Sequence, residues 1–402
     1  MPFGRPQVLC DELRRALPDR PFRVRFWDGT ELEPSGERDE ATIIVRSPQA
    51  IAHLLLHPNE LGLSRAYVSG LLAADDLDRA MPVVDHWRPR PFDRVTRLRL
   101  ALAALRAMGI TKPPRRPRIE LPPRGRMHSI VRDRRAVRHH YDISNDFFAL
   151  FLDESMTYSC AVFSRGAKTL EEAQRAKLEL VCAKLGLREG ERLLDIGCGW
   201  GSLVIHAARE HGARVLGITL SEPQAELARR RAEEAGVGDR VEVRVMDWRE
   251  LSGETFDAIA SVGMVEHVGE ENIDAYAKRL RDLLRPGGRV LNHGIARLRH
   301  DMGPSGPFTQ RYIFPDGATL HLSRLLLAFE RAGVEVRHVE GLREDYAETL
   351  RHWAQRFDEH LDEAVRIAGR ERVRAWRLYL RGSRSRFRDG DLSIFQVLGR
   401  RP

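Results

Sequence analysis

Apolar and polar positions alternate with a period of two along Phe22-Arg23-Val24-Arg25-Phe26, and a second β-like run follows at Thr42-Ile43-Ile44-Val45. Between them, Trp27-Asp28-Gly29-Thr30 reads as a hairpin turn, and helical patterning runs from Ser47 to about Leu56. Residues 1–85 are therefore expected to form a small α+β unit. A helix is predicted from about Phe92 to Met108, with Val95, Leu98, Leu102 and Leu105 on one face and Arg94, Arg97 and Arg106 flanking it. From about residue 141 the period switches repeatedly. Strand-like runs at 192–196, 214–219, 241–246, 256–261 and 289–293 are separated by helical stretches at 201–210, 222–235 and 271–284. Such alternation predicts an α/β fold, a doubly wound, Rossmann-like parallel sheet.

Length and charge divide this picture further. At roughly 100–200 residues per domain, 402 residues suffice for two or three, and 42% hydrophobic content excludes a wholly disordered chain. No stretch approaches the ~20 apolar residues of a membrane span, and the opening MPFGRPQVLCDELRR lacks the pattern of a secretory signal. Cys10, Cys160, Cys182 and Cys198 are irregularly spaced, so neither a disulfide framework nor a metal site is expected. The chain reads as cytoplasmic. The net charge of +8 is unevenly spread: residues 86–140 carry +13, residues 370–402 carry +7, and the remainder carries −12. Prolines 89, 91, 113, 114, 117, 122 and 123 edge the first basic segment. Three regions follow: 1–85, a basic Pro-rich linker at 86–135, and 136–402. The basic segments fit an anionic partner, which is a nucleic acid, a membrane surface or a phosphorylated substrate, or they are solvated faces. The helix before Met108 fits an interfacial helix, and it equally fits one packed on its own protein.

The chemistry begins at Leu193-Leu194-Asp195-Ile196-Gly197-Cys198-Gly199-Trp200-Gly201. An apolar strand runs into a glycine turn that opens a helix, the usual place for a nucleotide-like ligand. The glycines run G-x-G-x-G after an acid, not the G-x-G-x-x-G of a pyrophosphate site. S-adenosylmethionine has no phosphate; Asp195 suits its ammonium, and glycines let the backbone approach its methionine moiety. A structural tight turn explains neither the acid nor three glycines in five positions. The next strand ends Thr219-Leu220-Ser221 without the customary acid, so Thr219 and Gln224 are candidates for the ribose hydroxyls. Asp247-Trp248 ends the third strand as an adenine-amino acceptor beside an aromatic wall.

Four further motifs carry a resemblance: His140-Tyr141-Asp142-Ile143-Ser144-Asn145-Asp146-Phe147-Phe148, Met156-Thr157-Tyr158-Ser159-Cys160-Ala161, Gly263-Met264-Val265-Glu266-His267-Val268-Gly269 and Tyr312-Ile313-Phe314-Pro315-Asp316-Gly317. From about residue 136 onward the chain resembles the cyclopropane-fatty-acid synthase family, class I methyltransferases that add a methylene to a cis double bond of a phospholipid acyl chain. The resemblance implies a lid-like N-terminal domain, a methyltransferase domain and a helical acyl-binding insertion. It implies that Tyr158 and Ser159 help bind the donor with the 193–201 loop, Thr219–Gln224 and Asp247-Trp248. It further implies a bicarbonate held by Cys160, Glu266, His293, the backbone of Ile295, and Tyr346. The chain departs from the family at Glu154, Val162 and Val265, which flank the implied acyl slot and anion site.

An alkene is a poor nucleophile, so a sulfonium donor must be held in line with it in a dry slot. The carbocation left by methyl transfer needs nearby negative charge and a base for its last proton. Loss of that proton with ring closure gives a cyclopropane; a hydride shift first gives a methylene branch that a reductase partner converts to a methyl branch. A small-molecule or nucleic-acid methyltransferase is a third reading, but no Asn/Asp-Pro-Pro-Tyr/Phe motif and no RNA-binding module is legible. A non-catalytic lipid binder is a fourth, opposed by the intact glycine loop. Given such a substrate, the expected partners are an anionic phospholipid bilayer, met peripherally on its inner face, and an unsaturated acyl chain. A homodimer and a reductase are further candidate partners, and nucleic acid is not expected.

Overall fold

The computed structural model describes residues 5–37, 40–88, 90–109, 112–121, 132, 143–300 and 306–402. His140-Tyr141-Asp142 of the first family motif, the boundary at 135/136, and Pro89, Pro122 and Pro123 lie outside the described residues. The chain divides into two compact units. One comprises residues 1–122, 306–313 and 369–385, and the other comprises 123–305, 314–368 and 386–402.

The first unit holds a four-stranded sheet of β1 (Phe22–Arg25), β2 (Glu31–Leu32), β3 (Ala41–Val45) and β4 (Leu72–Ala74), in the order β2-β1-β3-β4. The expected turn at 27–30 is present, with Gly29 at φ 87°, but it joins β1 to the two-residue β2 in an antiparallel pair. The run at 41–45 pairs with β1 in parallel instead. A two-residue strand leaves no readable alternation, which is why the pattern suggested a single hairpin. Helices α1 (Gln7–Ala16), α2 (Pro48–Leu56), α3 (Glu60–Val68), α4 (Leu77–His86) and α5 (Arg94–Met108) complete the unit. Caps set several starts: Ser47, Asn59, Asp76 and Asp93 each accept a backbone N–H from the first turn of the helix that follows. The core gathers Leu9, Cys10, Phe22, Val24, Phe26, Ile51, Val83 and others.

Helix α5 turns Ala103, Ala104 and Ala107 into that core. Its larger apolar side chains do the opposite: Val95, Leu98, Leu102 and Leu105 are between 45% and 64% exposed. The stripe legible in the sequence is thus the outer face, because small alanines suffice for close packing on the inner one.

The second unit is built on a mixed sheet in the order β11-β12-β9-β8-β5-β6-β7. Its strands are β5 (Arg192–Ile196), β6 (Arg214–Thr219), β7 (Val241–Val245), β8 (Phe256–Val262), β9 (Leu284–Arg297), β11 (Glu335–Gly341) and β12 (Leu392–Arg400), and β10 (Leu320–His321) pairs alongside β9. Strands β5 to β9 pair in parallel, and β12 runs antiparallel between β9 and β11. Its helices are α6 (Asn145–Ala149), α7 (Leu170–Leu185), α8 (Ser202–His211), α9 (Glu222–Glu234), α10 (Ile273–Leu283), α11 (Leu322–Arg331) and α12 (Arg343–Glu359). Two separate apolar clusters gather residues of the sheet and its helices: β5 and β8 with α10 and α11 in one, β5 and β6 with α7, α8 and α9 in the other. This is the expected doubly wound sheet. Strand order reverses between β5 and β8, and the carboxyl ends of strands at such a point form a ligand crevice. A last helix, α13 (Leu361–Arg388), breaks at Gly369 (φ 79°), where the chain passes from one unit to the other. Among the described residues no helix is long and apolar enough to cross a membrane.

Candidate active site

At the end of β5, the glycine loop takes backbone angles that other residues resist: Gly197, Gly199 and Gly201 have φ of 84°, 54° and 89°. Gly201 also lets α9 approach α8, since a Cβ there would lie 3.0 Å from that of Ala228. The loop opens a pocket lined by Tyr158, Ser159, Asp195, Gly197, Cys198, Gly199, Thr219, Leu220, Gln224, Asp247 and Trp248, all named from the sequence. Gly201 and Ser221 are not among the lining residues; both instead cap helices, α8 and α9.

Asp195 is buried, and its Oδ1 has no hydrogen-bond partner among the described residues. Burial pushes its carboxyl up to about 7, against the opposing pull of Lys177. A buried, uncompensated carboxylate in a pocket is what an ammonium would satisfy, so the residues present fit S-adenosylmethionine. Thr219 Oγ1 donates to Gln224 Oε1 at 2.8 Å, so the two ribose candidates are held together at one wall. Asp247 lines the pocket but is already engaged: Arg249 Nε and Nη2 each reach one of its oxygens at 2.7 Å. The Arg249 guanidinium also lies over the Trp248 ring, 5.5 Å from its centroid.

Lys177, Met264, His267, Pro315 and Asp316 line the pocket as well and were given no donor-binding role from the sequence. Lys177 left a signal. Leu170, Ala173, Gln174, Lys177, Leu178 and Val181 fall on the buried stripe of α7, where a lysine and a glutamine stand out among apolar neighbours. Lys177 Nζ donates to Ser159 Oγ at 2.9 Å, and burial pulls its ammonium down to about 8. Gln174 Nε2 donates to the carbonyls of Thr157 and Ser159 at 3.2 and 2.9 Å. From the other side α12 pins the same loop: Ala161 N donates to Thr349 Oγ1, and Phe163 N and Ser164 N donate to Asp345 Oδ1. The segment 157–164 is therefore rigidly presented to the pocket.

The implied anion residues do not line the donor pocket themselves. Glu266 and Ile295 meet: Ile295 N–H donates to Glu266 Oε1 at 2.7 Å, leaving Oε2 buried without a partner among the described residues. Burial pushes Glu266 up to about 7. His293 follows on β9 in register with Val262, a pocket residue, and Gly263 N donates to its carbonyl. Gln396 Nε2 lies 3.1 Å from His293 Nδ1, while His293 Nε2 is buried without a partner. Burial first, then Lys177 and Lys184, pull His293 down to about 3, so the ring is neutral. The Cys160 thiol and the backbone N–H of Tyr346 share one carbonyl, that of Leu342. The Cys160 thiol donates to Ala161 O at 3.1 Å and is 3.7 Å from Leu342 O, which accepts from Tyr346 N. Among the described residues the acceptor on Glu266 and the ring nitrogen on His293 are each left unpartnered, and each is a group that a small protonated oxyanion would satisfy. The Ile295 amide fits less simply, since Glu266 already occupies it.

The mycolic acid cyclopropane synthetase family matches residues 128–397. The chain belongs to that family. It is an S-adenosylmethionine-dependent methyltransferase of the cyclopropane synthase type, and it acts on lipid chains. Similar members include a probable fatty acid methyltransferase of Pseudomonas putida, 38% identical, with 95% of this chain and 92% of that one covered. The tuberculostearic acid methyltransferase UfaA1 of Mycobacterium tuberculosis is 34% identical, with 96% and 88% covered. The solved mycolic acid cyclopropane synthase CmaA1, complexed with SAH and CTAB, superposes with a TM-score of 0.63 at 33% identity and covers 66% of this chain and 98% of its own. Of the residues by which the chain departs from the family pattern, Val162 and Val265 are buried and Glu154 is exposed.

Proposed function

We propose that this family member methylates the cis double bond of an unsaturated phospholipid acyl chain at an anionic membrane surface, and that the product is a cyclopropane fatty acid. The observation that supports the reading is that Glu266 Oε2 and His293 Nε2 are each buried without a partner among the described residues, on residues that adjoin the pocket-lining segment 262–264. Bound S-adenosylmethionine supplies the methyl group. Asp195 holds its ammonium, the glycine loop admits its backbone, and the pinned 157–164 segment fixes its orientation. Neutral His293 and the free oxygen of Glu266 would hold a bicarbonate, which would supply the base for the final proton. In a water-excluded setting the charge of a bound anion would stabilise a developing carbocation far more than it does in bulk water.

The membrane reading rests on the first unit, which contains both the outward apolar face of α5 and residues from the two basic segments, 90–121 and 369–385. Apolar side chains flanked by arginines suit insertion among anionic headgroups, on the cytoplasmic leaflet.

A second reading has its own support. The relatives that match over at least 95% of the chain are named fatty acid and tuberculostearic acid methyltransferases, whereas the CmaA1 structure covers 66%. On that reading the same cation gives a methylene branch for a reductase partner. Mass does not distinguish the two, because both add one CH2. Proton NMR of the purified product does: upfield ring protons support the cyclopropane, and olefinic methylene protons overturn it in favour of the branch.

A further inference from the structure

Helices α7 and α8 wall the donor pocket together, and they pack against each other directly. Away from the pocket lining, their contact brings together four side chains with metal-ligand chemistry. Cys182 and Glu179 lie three residues apart on α7, while His206 and His211 lie five apart at the end of α8. One donor atom each from Cys182, His206 and His211 lies within 4.8 Å of the other two. Glu179 Oε2 sits 3.2 Å from His206 Nε2 and 3.0 Å from His211 Nε2, bridging the two rings. Among the described residues no hydrogen bond reaches the Cys182 thiol, which is fully buried beside them.

We propose that Glu179, Cys182, His206 and His211 form a structural site for one divalent transition-metal ion of the zinc type, which clamps α7 to α8. Sulfur, two imidazoles and a carboxylate are a donor set that favours zinc over magnesium or calcium. Tetrahedral zinc, with bonds of about 2.0–2.3 Å, places its donors roughly 3.3–3.8 Å apart. The donor atoms of Cys182, His206 and His211 lie within 4.8 Å of one another, and Glu179, hydrogen-bonded to both rings, is the acid available to swing in as the fourth ligand. The ion enters from the solvent side, where the Glu179 side chain is half exposed and His211 partly so. On binding, the Cys182 S–H bond breaks, an S–metal bond forms and the proton leaves to water. Both imidazoles contribute neutral lone pairs. Because the thiol must lose its proton to bind the ion, affinity rises with pH.

Spacing along the chain conceals the site because its donors come from two helices, joined only by packing. In the ion-free state Glu179 links the two histidines through hydrogen bonds, and a purely hydrogen-bonded clasp is the competing account. The two differ in whether the thiol takes part.

The test is an anaerobic titration of tag-free, reduced, full-length protein with Co2+, read by absorption. The expected result is saturation at one equivalent, with a thiolate-to-cobalt charge-transfer band in the near ultraviolet and intense four-coordinate bands in the visible, all displaced by Zn2+. Cys182→Ser should remove the charge-transfer band. His211→Ala, at the solvent edge, should weaken binding by at least about tenfold, since loss of even an outer-sphere partner costs about 10–100-fold, and it carries the test if the cysteine variant does not fold. Absence of saturable binding, visible bands without charge transfer, or a charge-transfer band unchanged in both variants would overturn the assignment.

Discussion

Two regions of this protein each bury a glutamate, with opposite consequences. In the first unit, the Glu120 side chain accepts from Arg65 Nε and Nη2 at 2.7 Å, from Arg311 Nη1 at 2.9 Å and from the Tyr312 hydroxyl at 3.0 Å. Burial alone would raise its carboxyl, but two guanidiniums and a phenol hold it down to about 2. In the second unit, Glu266 has one backbone amide and a bare second oxygen, and burial pushes it up to about 7. Partners, rather than burial alone, thus separate a fastening from the acid proposed to work in the reaction. The fully partnered acid ties residues 60–68, 120 and 311–312 together, while the under-partnered one stores an unmet demand for a ligand.

The largest effect expected from this contrast is catalytic. Glu266→Gln keeps the size and the Ile295 contact but removes the charge, and turnover should fall by about 10²–10⁴-fold with donor affinity nearly unchanged by equilibrium titration. Wild-type turnover in that variant would remove Glu266 from the reaction. The next effect is on stability. Glu120→Ala leaves the buried Arg65 guanidinium without its carboxylate and should cost about 3–5 kcal/mol in denaturant unfolding. A loss under about 1 kcal/mol would show that the network is not a fastening.

The two acids also predict opposite pH slopes. Glu120 is depressed, so its stabilisation is complete above the unfolded carboxylate range and is lost as pH falls towards about 2. Glu266 is raised, so the folded protein holds a proton that the unfolded chain has released between about 4.5 and 7. Stability therefore declines as pH rises through that window, and Glu266→Gln should flatten the decline in melting curves. Asp195, raised to about 7, must ionise to hold the cationic donor, so donor affinity should fall below neutral pH and Asp195→Asn should abolish that dependence.

The smallest effects concern the exposed face of α5. Replacing Arg94, Arg97 and Arg106 with Gln should each weaken binding to anionic vesicles by about 1 kcal/mol, read by sedimentation, with wild-type binding itself falling at high salt. Melting should stay within about 0.5 kcal/mol of wild type, because these side chains are exposed. Salt-insensitive binding would return the arginines to plain solvation.

The parallel strands β5, β6 and β8 were legible because strands buried on both faces read as apolar runs bounded by turns. The glycine loop and Asp195 were legible because the backbone there needs positive φ next to one acid. By contrast, β11 carries Glu335, Arg337, His338 and Glu340 on an exposed edge, and no alternation survives. Arg249 on Asp247, and the entry of residues 306–313 and 369–385 into the first unit, arise from long-range contacts that leave no local pattern. The outward face of α5 was read correctly as a stripe, but its direction depended on alanines that look featureless in a sequence.

The most direct test is to incubate the protein with vesicles of a cis-unsaturated anionic phospholipid and S-adenosylmethionine, and then to weigh the released acyl chains by mass spectrometry. Acyl chains heavier by one CH2, formed by wild type and almost absent with Glu266→Gln, are the expected result. Acyl chains of unchanged mass across a panel of unsaturated lipids, with donor demonstrably bound, would contradict it.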